Sequence, residues 1–321
     1  MQMNREELLR AYRAMRTIRD FEERLHIEFA TGEIPGFVHL YAGEEASAVG
    51  VCMHLTARDK IASTHRGHGH CIAKGVEVPG MMSEIYGRKD GLCGGKGGSM
   101  HIADLSKGML GANGIVGGGP PLICGAALAT KVMKTGGVAV AFYGDGASNQ
   151  GTTLESLNLA TIWKLPAIFV CEDNGYAEST SSSYSVGGSQ AKRAEGFGMP
   201  CHEVDGFDFF AVYEAARVAV ERARAGDGPS MLHVKLARYY GHFEGDATTY
   251  RAPGEVDRIR AELDCLQRFR KRVTEAALLE SGDLAAVDQA VAEELEASVR
   301  GAKAAPLPGE ADLLTDVYVT Y

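Results

Sequence analysis

The segment Val138–Tyr176, VAVAFYGDGASNQGTTLESLNLATIWKLPAIFVCEDNGY, constrains the fold more than any other part of this 321-residue chain. Two apolar, strand-length runs, Val138 to Tyr143 and Ala167 to Cys171, flank a helical pattern through Glu155 and Leu159. Elements of this length form a βαβ unit, whose strands lie parallel and release their loops at the same sheet edge. Those loops are Gly144-Asp145-Gly146 and Glu172-Asp173-Asn174-Gly175-Tyr176, so Asp145 and Asn174 leave neighbouring strand ends together. Open α/β sheets bind ligands at that edge. A carboxylate, an amide oxygen and nearby backbone carbonyls are hard donors that suit Mg²⁺, which usually also holds a phosphate. Gly-Asp-Gly alone would be an ordinary turn. Flanked by these elements, it reads as a metal–diphosphate site.

With 45% apolar residues the chain can bury a sizeable core, as one large α/β domain with appendages or as two smaller ones. A net charge of −9 argues against nucleic acid as a partner. No apolar run is long enough to span a bilayer, and no membrane partner is expected. The charged N-terminus, MQMNREELLRAYRAMRTIRDFEERL, lacks the apolar core of a signal peptide. Seven cysteines without a CxxC pair read as reduced, mostly buried thiols of a cytoplasmic protein. Glycines cluster between Gly91 and Gly119, where Met100, Ile102, Met109, Leu110, Ile115 and Val116 are spaced as residues that seek burial. Such a loop is either functional, its backbone lying close to a bulky ligand, or disordered.

The rest of the pattern gives an amphipathic helix over Asn4–Phe29, helices over Glu44–Leu55 and Glu77–Tyr86, and a short strand over Asp59–Thr64. Pro120-Pro121 opens a small-residue helix. Beyond the βαβ unit follow a strand over Cys201–Val204, a helix over Asp208–Ala225 capped by Asp208, and a strand over Ser230–Ala237. From Glu255 the chain is polar and helical, with an interruption near Gly282 and others at Pro306 and Pro308. The expected fold class is α/β, a parallel sheet with helices on both faces. The expected division is an N-terminal helical arm (1–30), a ligand-binding α/β domain (31–253) and a C-terminal helical extension (254–321).

Three groups of basic residues fall near strand ends or helix starts. His39 in Phe37-Val38-His39 precedes a helix, and by itself suggests an ordinary loop histidine. His65-Arg66-Gly67-His68-Gly69-His70 is denser. Its histidines could suggest zinc, but Arg66 in their midst repels a cation and suits a diphosphate better. Gly241-His242-Phe243-Glu244-Gly245-Asp246 follows the last strand, and His242 is its one residue able to move a proton near pH 7.

These elements occur in the order found in the alpha subunits of the thiamine diphosphate-dependent first component of 2-oxo-acid dehydrogenase complexes, which the chain resembles over nearly its whole length. The matching stretches are Phe37 to Leu40, Ser63 to Gly69, Lys96 to His101, Gly114 to Gly117, the βαβ unit and Arg238 to His242. The chain departs from the family at Asp173, where relatives carry the first of two asparagines, and at His65, where many carry tyrosine. The resemblance implies a thiamine diphosphate-binding fold in which Asp145, Asn174 and the carbonyl of Tyr176 hold Mg²⁺. It places Arg66, Phe37, His65, Gly146 and Ala147 at the diphosphate, with Asn174 and His242 among the cofactor contacts. Gly114 and Val116 would touch the aminopyrimidine, and His39 and His242 would face the reacting carbon. Phe243 stands where some relatives carry a regulatory serine, so phosphorylation there is not expected.

Thiamine chemistry also needs a glutamate against the pyrimidine, which the resemblance assigns to a separate beta subunit in a heterotetramer. A lipoyl acyltransferase would receive the product acyl group. The stretches 108–119, 175–184, 239–251 and 313–321 are most similar to the acetoin dehydrogenase branch. That branch cleaves acetoin to acetaldehyde and a cofactor-bound hydroxyethyl group, which is oxidised as acetyl passes to lipoamide. Pyruvate, or a branched-chain 2-oxo acid, is the alternative substrate. A reading of another class is a non-catalytic scaffold that keeps the fold and anchors a partner.

Overall fold

The structure is a computed structural model that describes residues 3–318. Val319–Tyr321, the end of the terminal 313–321 stretch, lie outside the described residues. In chain order the first elements are α1 (Arg5–Phe29), α2 (Glu45–Cys52), β1 (Lys60–Ala62), α3 (His68–Ala73), α4 (Val78–Ile85) and α5 (Gly119–Met133). The central elements are β2 (Ala139–Gly144), α6 (Gly151–Ile162), β3 (Ala167–Asp173), β4 (Tyr176–Ala177), β5 (Thr180–Ser181), α7 (Ser182–Ser185) and α8 (Gln190–Gly196). Then come β6 (Cys201–Asp205), α9 (Phe209–Ala225), β7 (Ser230–Lys235), α10 (Glu255–Glu262), α11 (Cys265–Glu275) and α12 (Ser281–Ala304). Among the described residues no helix is long and apolar enough to cross a membrane.

Strands β1-β2-β3-β7-β6 form one sheet, all parallel. Its faces follow the two-residue strand period. Val138, Val140 and Phe142 face a core shared with Ile168, Val170, Leu232 and Val234. Ala139, Ala141 and Tyr143 face the opposite core with Phe169, Cys171 and Met231. The expected βαβ unit is present as β2-α6-β3, with Gly144 in register with Glu172. Because all strands point the same way, the residues following β1, β2, β3 and β7 emerge at one edge.

Helix α1 starts where Asn4 accepts from Glu7 N and the Glu7 carboxylate accepts from Asn4 N, a capping box. Its buried stripe, including Leu8, Tyr12, Met15, Ile18 and Leu25, belongs to the same core as Phe269, Val273, Leu284 and Val291 of the C-terminal helices. The polar C-terminal region breaks at residues 263–264 and again at 276–280, the latter being the interruption expected near Gly282, which itself lies in the first turn of α12. There Ala277 takes a left-handed conformation, and the capping box of Glu280 and Asp283 starts the next helix.

The glycine-rich segment is folded, and most of it serves the scaffold. Both oxygens of the buried Glu84 carboxylate are wrapped by its backbone. Oε2 accepts from Cys93 N and Gly95 N at 2.8 Å each, and Oε1 from Gly97 N at 2.7 Å and Gly98 N at 3.0 Å. Residues 108–111 then run along β1, exchanging backbone bonds with Ile61 and Ser63. Met100, the stretch Asn113–Gly117 and Gly119 reach the ligand-binding edge. Ile115 and Val116, expected to be buried, are 75% and 51% exposed, because they form the mouth of that edge.

Glu84 accepts four N–H groups and can do so only as a carboxylate. Glu84→Gln would turn an NH₂ group toward two backbone N–H donors. It should cost roughly 2–4 kcal/mol in chemical denaturation, the usual penalty for orphaned buried donors. It should also open residues 91–98 to limited proteolysis.

Candidate active site

The four loops at the carboxyl edge of the sheet enclose a cleft of about 350 Å³. The loop after β1 brings His65 and Arg66, and the loop after β2 brings Asp145, Gly146 and Ala147. Asn174 and Tyr176 follow β3, and Arg238 and His242 follow β7. His39, Glu44, Gly114 and Val116 complete the lining. Phe37 stands apart from this set. It is 61% exposed, with its ring edge-on to Phe243 at 5.8 Å.

Asp145 is 2% exposed, and its Oδ2 is buried without a hydrogen-bond partner. A buried acceptor without a donor is costly and points to a missing ligand. Burial, followed by the charge of Asp173, pushes the Asp145 carboxyl up to about 6. Asp173 does not face the cleft unpaired. Its Oδ2 lies 3.0 Å from His233 Nε2 on the adjacent strand, and its Oδ1 accepts from Gly175 N. The orientation of the Asn174 amide is set from both ends. Its Nδ2 donates to Glu44 Oε1 at 2.9 Å, and its Oδ1 accepts from Tyr176 N at 3.3 Å. Gly146 permits close approach of chains here, since a Cβ at that position would lie 2.5 Å from Ala177 Cβ.

Arg66 is buried, donating to Leu40 O and to His242 O at 3.0 Å. Burial, opposed by Glu44 and assisted by Arg238, lowers its guanidinium to about 10, so it stays charged. No carboxylate lies within ion-pair distance of Arg66 or Arg238 among the described residues. The cleft thus offers two guanidinium groups to an anion and, on its other wall, an unpartnered carboxylate oxygen to a cation. That donor set fits a metal-bound diphosphate.

The histidine grouping expected from sequence is rearranged. His68 and His70 sit on α3 and turn into the core: His68 contacts Glu22 and Ser99, while His70 contacts Ser63 and Glu172 and stacks on Phe142. The three imidazoles that meet are His39, His65 and His242, whose ring nitrogens lie within 4.8 Å of one another. Burial is the largest cause of a lowered pKa in each, with Arg66 next. His39 falls to about 3, His65 to about 2 and His242 to about 4. All three are neutral near pH 7.

Two further residues were not singled out from sequence as site residues. Arg238, within the Arg238–His242 stretch, is fully buried and donates to Glu178 O and Tyr250 Oη. Its Nη1 lies 3.3 Å from His242 Nδ1. A guanidinium can only donate, so Nδ1 is the acceptor and Nε2 of His242 carries the proton. Glu44 is 1% exposed and lines the cleft, though the sequence marks it only as the start of a helix.

The chain belongs to the family described as the dehydrogenase E1 component, whose model matches residues 13–310. It is 64% identical over 320 residues to the alpha subunit of acetoin:2,6-dichlorophenolindophenol oxidoreductase of Cupriavidus necator, covering 99% of this chain and 96% of the relative. The subunit of the same name from Bacillus subtilis is 53% identical, covering 100% of this chain and 96% of the relative. The pyruvate dehydrogenase E1 component subunit alpha of Zymomonas mobilis is 41% identical, with 98% and 90% covered.

The lowered histidine values set a pH dependence. Below its ordinary value of 6.5 the unfolded chain takes up protons that the folded cluster refuses, so stability falls as pH drops from about 6.5 to about 4. Thermal unfolding across this window should show that fall, with a shallower slope in His65→Asn. Proton NMR of His39 and His242 should show no titration between roughly pH 5.5 and 8.5.

Proposed function

We propose that this chain is the alpha subunit of an acetoin-cleaving dehydrogenase that uses thiamine diphosphate and Mg²⁺. The observation that carries the reading is one cleft holding the unpartnered Asp145 oxygen, the oriented Asn174 amide and the charged Arg66. Identity to the two acetoin oxidoreductase alpha subunits favours acetoin over pyruvate. Asp145, Asn174 and the carbonyl of Tyr176 would hold Mg²⁺. Arg66, His65, Gly146 and Ala147 would line the diphosphate, and Gly114 and Val116 the aminopyrimidine. Phe37 would act from the rim, since its ring packs on Phe243. The functional division follows: arm 1–30, cofactor-binding domain 31–253 and extension 254–321.

Bound thiamine diphosphate supplies a carbon nucleophile and an electron sink. The net reaction breaks the central C–C bond of acetoin and releases acetaldehyde. The other two-carbon half becomes an acetyl group on one lipoamide sulfur, while the second sulfur is reduced to a thiol. Within this chain His242 presents Nε2–H, because Arg238 occupies Nδ1, and so donates a hydrogen bond to a substrate oxygen. His39 has a buried Nδ1 without a partner, which as a neutral imidazole would hydrogen-bond a substrate oxygen rather than hold a proton. Keeping both imidazoles neutral lets them act as directed donors and acceptors. The exposed Ile115 and Val116 border a cleft that a beta subunit would cover, bringing the glutamate that activates the pyrimidine. The assembly would be a cytoplasmic heterotetramer served by a lipoyl acyltransferase.

The alpha–beta complex should reduce dichlorophenolindophenol faster with acetoin than with pyruvate. A large preference for pyruvate would move the substrate assignment and leave the cofactor assignment standing. His39→Ala combined with His242→Ala should lower kcat on the order of 100-fold or more. Full turnover by that variant would instead support the scaffold reading.

A further inference from the structure

We propose that Glu44 is the positioning residue that aims the oxygen of Asn174 at the metal. This rests on the Mg²⁺–diphosphate reading of the cleft and adds a residue to it. Asn174 can present either oxygen or nitrogen to the cleft, and only the oxygen binds a cation. The backbone N–H of Tyr176 must donate, and it reaches Asn174 Oδ1 at 3.3 Å. That contact is long, and alone it would hold the amide weakly. Glu44 Oε1 accepts from Nδ2 at 2.9 Å on the other side, so a flipped amide would set oxygen against oxygen. Two contacts of opposite polarity therefore select a single orientation.

Glu44 is itself held in place. It precedes the wholly buried α2, and the turn before it needs Gly43 at φ +102°, where a Cβ would meet Ala237 O at 2.2 Å. Gly43 N donates to Glu45 Oε1, which also takes Arg19 Nε. The carboxyl group that aims Asn174, which burial and then Glu172 push up to about 8, thus sits on a backbone clamped by neighbouring ionic bonds.

The test is Mg²⁺ titration of the alpha–beta complex at fixed thiamine diphosphate, by calorimetry, with Mn²⁺ electron paramagnetic resonance counting bound metal. Glu44→Leu should raise the Mg²⁺ concentration for half-saturation about tenfold or more, as losing a partner of a metal ligand does. Binding at saturating Mg²⁺ should be restored. Glu44→Gln keeps an acceptor oxygen and should stay within about threefold of the wild type. Should Glu44→Leu fail to fold by circular dichroism, Glu44→Ala makes the same comparison with less bulk. Normal metal affinity in the folded Leu or Ala variant, beside a weakened Asn174→Ala, overturns the role of Glu44 and spares the metal site. A tenfold loss in Glu44→Gln overturns it also, since the carboxylate would then bind metal directly. Unchanged affinity in Asn174→Ala defeats the metal reading itself, and this proposal with it.

Discussion

The buried ion cluster of Arg19, Glu45 and Asp264 holds the scaffold behind the cleft in register. Arg19 grips Glu45 with two bonds, 2.6 and 2.9 Å, and reaches Asp264 at 2.6 Å. Asp264 also caps α11 through Gln267 N and accepts from Tyr239 Oη, while Glu45 accepts from Gly43 N. One guanidinium therefore joins the N-terminal helix, the C-terminal helices and the segment that ends at Glu44. Buried ion pairs contribute little net stability, because desolvation offsets their attraction. Geometry is what this cluster supplies: an apolar replacement would pack there but would not fix the Gly43 turn. Losing one partner alone would strand a buried charge, which is the more damaging change.

In front of that cluster, the parallel sheet does the gathering. Residues as far apart as Arg66, Asp145, Asn174 and Arg238 meet because each follows a strand running the same way. The glycine-rich segment makes a different contribution. Its four N–H bonds to Glu84 fold one half into a rigid support, and its other half covers the edge of β1. Met100 and the short remainder face the cleft, and Ile115 and Val116 carry apolar side chains outward where a second protein would meet them.

What could be read from sequence was whatever depends on local pattern. The apolar strand runs, the βαβ unit and the Asp208 cap are written in neighbouring residues, and the structure shows each of them. Asp145, Asn174 and Arg66 were legible because strand ends converge by rule. What was hidden depends on long-range partners. His68 and His70 resemble His65 in sequence, yet a short helix turns them toward Glu22 and Glu172, residues 46 and 102 positions away. Glu44 and Glu45 are adjacent and alike, but one faces the cleft and the other Arg19. Asp173, a departure from the family pattern beside Asn174, finds its partner in His233 on another strand.

The meeting of His39, His65 and His242 raises the question of why this cleft should take a phosphate rather than a transition metal. Three neutral imidazoles within 4.8 Å could in principle ligate zinc. The two guanidinium groups decide against it. Arg66 and Arg238 both border the cluster, and among the described residues neither has a carboxylate within ion-pair distance, so a divalent cation at the imidazoles would face two nearby positive charges at low dielectric. The same charges help keep the imidazoles deprotonated, because a third cation nearby is unfavourable. An anion entering this cleft would relieve the repulsion, while the unpartnered Asp145 oxygen on the other wall would suit an accompanying cation. The polarity of the cleft would thus suit the two opposite charges of a metal–diphosphate, with three neutral imidazoles beside it.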